Sequence, residues 1–80
     1  MKFDHMRRID PVTGNAIEDL FNCELKKAHV WTSIEDLSYP YATKTVSEIE
    51  TLIVDDKTGE VYAVHVDNAF QAGLAVPSVI

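Results

Sequence analysis

The runs on both sides of the short loop Asp56-Lys57-Thr58-Gly59 are largely apolar and rich in β-branched residues. Ile49 to Asp55 and Glu60 to Asp67 therefore read as the two strands of a hairpin. With Asp55 opposite Glu60, the cross-strand pairs are Val54/Val61, Ile53/Tyr62, Leu52/Ala63, Thr51/Val64, Glu50/His65 and Ile49/Val66. One face then carries Ile49, Thr51, Ile53, Tyr62, Val64 and Val66 and is expected to be a core face. The other is apolar near the turn and polar beyond it. Glu48 opposite Asp67 places like charges together and disfavours further pairing. Slipping by one residue would exchange the two faces, so the register is a sharp expectation. Residues 45–54 also fit a helical period through Val46, Ile49, Leu52 and Ile53, with Thr45 and Glu48 in capping-box spacing. The hairpin logic favours the strand.

The hairpin loop shares Asp-x-x-Thr-Gly with an earlier stretch, Asp10-Pro11-Val12-Thr13-Gly14. Both read as tight turns, with glycine in the left-handed region and aspartate bonding nearby N–H groups. After the first turn the period changes. Ile17, Leu20, Phe21, Leu25 and Ala28 form one helical stripe, and Asn15 with Glu18 has N-terminal capping spacing. Glu18 and Asp19 at the start and Lys26 and Lys27 at the end suit a helix dipole. The pattern predicts a helix over 16–28.

The remaining elements are shorter. Lys2 to Ile9 reads as a strand, Ala28 to Thr32 as a short strand carrying Trp31, and Ser33 to Leu37 as one helical turn capped by Ser33. Asn68 to Ile80 is nearly uncharged, contains Pro77 and begins with a short helix through Phe70. Such an apolar end either folds back on the sheet or docks on another chain. The expected architecture is one α+β domain spanning 1–80. Its antiparallel sheet has three or four strands, the 16–28 helix packs on one face, and 68–80 is an apolar C-terminal segment.

Composition narrows the class. An apolar fraction of 46% with 25% charged residues is that of a globular domain, and 80 residues hold one core. Cys23 is the only cysteine, which rules out an intrachain disulfide and points to a reducing compartment. No signal-peptide core or membrane-length apolar run is present, so a cytoplasmic location is expected.

The formal charge of −6 is unevenly placed. Residues 1–27 balance, with Lys2, Arg7, Arg8, Lys26 and Lys27 against Asp4, Asp10, Glu18, Asp19 and Glu24. The rest sets Lys44 and Lys57 against Glu35, Asp36, Glu48, Glu50, Asp55, Asp56, Glu60 and Asp67. An acidic surface of this kind repels nucleic-acid phosphates and suits a basic protein surface.

Candidate chemistry is sparse. His5, Cys23, His29 and His65 lack the close paired spacing of zinc ligands. Cys23 falls in mid-helix on this reading, away from the terminus that would lower its pKa. The neighbours Glu35-Asp36 and Asp55-Asp56 are better read as solvated turn residues than as an acid–base pair, which needs two distinct environments. The glycines are too dispersed for a phosphate loop. No catalytic residue, metal or cofactor is expected.

Two interaction features remain. Ser38-Tyr39-Pro40-Tyr41 lies close in sequence to Trp31, and tyrosine and tryptophan are enriched at binding hot spots. The plainer reading puts Trp31 in the core with the tyrosines around it. The expected function is a non-enzymatic module that binds a protein with a basic surface, as accessory or inhibitory proteins of mobile elements do. Its contact residues would be Tyr39, Tyr41, Glu35, Asp36, Asp55, Asp56 and Glu60. The alternative is a structural subunit that forms a homodimer or larger oligomer through 68–80 and a sheet edge.

Overall fold

Residues 1–32 and 46–74 are described by the structure, a computed structural model. Strands β1 (Lys2–Ile9), β2 (Ala16–Glu24), β3 (Ala28–Val30), β4 (Glu50–Asp55) and β5 (Val61–His65) precede one helix, α1 (Val66–Gln71). The strands form one sheet in the order β2-β1-β5-β4-β3, with every neighbour antiparallel. Among the described residues the sheet thus has five strands where three or four were expected.

The β4–β5 hairpin has the register anticipated from placing Asp55 opposite Glu60, from Val54↔Val61 to Glu50↔His65. Val66 N–H then donates to the Ile49 carbonyl at 2.9 Å, extending the pairing by one step. Ile53, Tyr62 and Val64 are buried on one face, in a cluster with Phe3, Met6, Leu25, Ala28, Ala69 and Leu74. Farther from the turn that face opens: Ile49 is exposed and Thr51 and Val66 are only partly buried. The opposite face buries Leu52, Val54, Val61 and Ala63 with Ile9, and Trp31 and Val46 pack against them. Next to the turn both faces are therefore covered, because β4 and β5 are interior strands of the sheet. Trp31 lines this second cluster, and its N–H continues the ladder to the Leu52 carbonyl.

The two Asp-x-x-Thr-Gly turns share their main bonds. Gly14 and Gly59 both have φ 77° and donate to the carbonyls of Asp10 and Asp55 at 2.7 and 2.8 Å. The Asp10 carboxylate accepts from Val12 N–H, and the Asp55 carboxylate from Lys57 N–H. Thr13 and Thr58 hydroxyls accept from the N–H groups of Asn15 and Glu60, at 3.2 Å each.

The predicted 16–28 helix is absent. Those residues form β2, a bend and the start of β3. The cause is local backbone geometry. The β1–β2 pairing omits Asp4 and Asn22, and Asn22 has a left-handed φ of 52°. Asparagine is among the few non-glycine residues that tolerate this region. Across the interruption, inward side chains lie three residues apart instead of two. Phe3 and Met6 share one cluster, and Leu20 and Cys23 pack against it. A spacing of three resembles a helix period. At the other end, the register shifts between Arg8 and Ile9 so that Ile17 is an extra, bulged residue. Glu18 pairs with Arg8 across the ladder and caps no helix.

Helix α1 starts two residues before the expected Asn68 and includes Phe70. The His65 side chain caps it by accepting from Asp67 N–H, and Ala69 is its buried anchor. Asn68 Oδ1 accepts the N–H of Asp4 where β1 runs past the end of β5. The expected turn over 33–37 and the end of the chain past Leu74 lie outside the described residues. No helix among the described residues is long and apolar enough to cross a membrane.

Candidate functional site

The predicted contact residues divide three ways. Glu35, Asp36, Tyr39 and Tyr41 lie outside the described residues. Asp55, Asp56 and Glu60 are brought together by the β4–β5 turn. Asp55, however, is only 7% exposed and its carboxylate is engaged within the turn. It is a structural residue with no surface to offer. Asp56 meets the Nδ1 atom of His29, and its N–H donates to the Lys27 carbonyl. This joins the turn to the segment leading into β3. Glu60 accepts the Tyr62 hydroxyl at 2.6 Å and stands 3.9 Å from Arg8. Burial pushes the Tyr62 phenol well above its ordinary pKa, and the Glu60 carboxylate pushes it further the same way. That tyrosine stays protonated as a donor.

Arg8 connects this end to the sheet edge. Its guanidinium lies 2.9 Å from Glu18 on β2 and within 3.9 Å of Glu60. Arg7, on the opposite face, holds Glu50 at 2.7 Å in a partly buried pair. For Glu50, burial alone would raise the carboxyl pKa, but the Arg7 guanidinium and Ser47 outweigh it and hold it below the ordinary value. The arginines of β1 are thus committed inside the sheet.

What remains outward on β2 is acidic. The strand reads Ala-Ile-Glu-Asp-Leu-Phe-Asn-Cys-Glu, with Glu18, Asp19 and Glu24 and no lysine or arginine. Nearly all of it is exposed. Asp19 contacts the His5 ring at 2.9 Å, and that ring stacks on Phe21 with centroids 4.7 Å apart. Phe21 is itself 66% exposed. Sequence reasoning missed this surface because it assigned the residues to a helix. The shared Asp-x-x-Thr-Gly turn was the available signal, since a turn that closes one hairpin can close another.

The three histidines and the cysteine do not all gather at one place, although His5 and His65 line one cleft. His5 serves Asp19 and Phe21, His29 serves Asp56, and His65 caps α1. Cys23 is partly buried, with its Sγ 3.5 Å from the Phe21 carbonyl. Among the described residues no three His, Cys, Asp or Glu side chains are grouped to hold a metal ion. An open cleft of about 260 Å³ lies where β1 passes α1, lined by Asp4, His5, His65, Asp67, Asn68 and Gln71. It is polar and wide-mouthed, with none of the apolar enclosure of a small-molecule pocket. No family model matches the chain, and no curated protein or solved structure matches it.

Proposed function

We propose that this protein is a non-enzymatic binding module that recognises a basic surface on another protein. The observation that carries this reading is β2, an exposed strand at the sheet edge with three carboxylates and no cationic side chain. The exposed Glu60 at the neighbouring hairpin end extends the same sign of charge. Complementary charge speeds encounter and selects partners more than it adds affinity. A role as an inhibitor within a mobile element is the finer form of this reading and rests on composition alone. The cytoplasm is the proposed location, from the single reduced cysteine.

Among the described residues the sheet has two edge strands, β2 and β3, and at β2 the homo-oligomer alternative meets repulsion, because a second copy sets three carboxylates against three more. The basic-partner reading is tested by capturing the partner from the native host and measuring its affinity across salt concentrations. Affinity should fall steeply with salt, and fall again in a variant with Asp19→Asn, Glu24→Gln and Glu60→Gln. Affinity that ignores both changes would refute the acidic surface. Sedimentation of the isolated chain tests the alternative, which requires a stable dimer.

A further inference from the structure

We propose that the outer edge of β2 docks an extended basic segment of the partner, which pairs with Glu18–Phe21 as an additional strand. The inference rests on the basic-partner reading and adds the element and residues that do the recognising.

The geometry begins at the first turn. Asp10 N–H bonds the Asn15 carbonyl, so Asp10 directs its peptide groups at β2. By alternation Arg8 and Met6 do the same, and their register partners Glu18 and Leu20 point back at β1. The N–H and C=O groups of Asp19 and Phe21 therefore face outward. No strand pairs with that side of β2 among the described residues. Two outward residues on one regular stretch are enough to seat a short strand, with main-chain bonds giving affinity and side chains giving selectivity.

Both ends of that stretch are limited by the backbone. The bulge at Ile17 and the left-handed Asn22 leave only Glu18–Phe21 in regular pleat. Irregularities of this kind, with charge, protect sheet edges from indiscriminate pairing. Here they also restrict a permitted partner to one short register. The side chains then choose the partner. Asp19 is 58% exposed and favours lysine or arginine across from it, while Glu18 is already shared with Arg8. Phe21, backed by the His5 ring, offers an apolar surface to the stem of a long cationic side chain. A second copy of β2 brings only further carboxylates to this edge.

The test uses a synthetic octapeptide of alternating lysine and valine, and the same peptide with N-methyl groups on lysines and valines alike, so that neither edge can pair. The charge is equal and only the hydrogen-bonding capacity differs. Titrated at low salt into ¹⁵N-labelled protein, the unmodified peptide should shift the Asp19 and Phe21 amides and slow their hydrogen exchange. The methylated peptide, and the double variant Asp19→Lys with Glu24→Lys, should each weaken binding by about tenfold or more. Equal binding of the two peptides would overturn strand pairing while leaving the basic-partner reading intact. Unmoved Asp19 and Phe21 amides would overturn the docking site, and the salt dependence of the captured partner would then judge the broader reading alone.

Discussion

Hairpin β4–β5 lies inside the sheet and hairpin β1–β2 reaches its edge, although the same turn chemistry closes both. In the interior hairpin, Ile53, Val61 and Val64 are almost wholly excluded from solvent. In the edge hairpin, β1 supplies Phe3, Met6 and Ile9 to the core while β2 leaves Ile17 and Phe21 exposed. An Asp-x-x-Thr-Gly turn thus specifies a reversal and its bonding, and neighbouring strands decide how much the reversal buries. The interior copy serves stability. The edge copy retains outward peptide groups and charge, on which the proposed binding rests.

The comparison can be broken most forcefully by truncation. Ile53→Ala should cost about 3 kcal/mol in urea unfolding, whereas Ile17→Ala should cost less than about 0.5 kcal/mol. Similar losses would mean that the two hairpins are equally buried. A smaller effect is expected at the interruption of β2. Asn22→Val should destabilise by about 1.5 kcal/mol, because a β-branched residue resists the left-handed region, while Asn22→Gly should be nearly neutral. Thermal melts of the pair would show whether the irregularity exists in solution.

The turns themselves should respond alike. Gly14→Ala and Gly59→Ala should each cost about 1 kcal/mol, since both glycines hold φ 77°. A clear difference in unfolding midpoint would separate two turns that share their glycine geometry and main bonds. The least effect concerns pH. Glu50 has a folded-state pKa held below its ordinary 4.5, so the stabilisation it brings is complete above that value. It is lost as pH falls through the lower folded-state pKa. The stability gap between the protein and Glu50→Gln should therefore narrow on acidification, as followed by urea unfolding at successive pH values.

The β4–β5 register was legible because two runs rich in β-branched residues meet at a four-residue turn that allows one closure. The first strand was legible as the run from Lys2 to Ile9 that ends at the first turn. The second was not. Leu20 and Cys23 face the core three positions apart, and only the left-handed Asn22 explains why. Asn15 and Glu18 also met the rule for a helix start, yet Glu18 had a cross-strand arginine available. The candidate site was legible as charge and illegible as place, since Asp55 turned out buried and the open acidic strand lay in the part of the chain whose charges cancel.

By itself, then, the chain determined its reversals, its best hairpin register and its acidic character, all of which depend on neighbours within a few residues. Tertiary structure decided that residues 16–24 are a strand, that the β1 arginines pair with Glu18 and Glu50, and that β2 and β3 are the sheet edges among the described residues. These outcomes depend on which strands meet across the sheet. Local propensity is too weak to choose between a helix and an edge strand until the partner strand supplies its hydrogen bonds and its counter-charge.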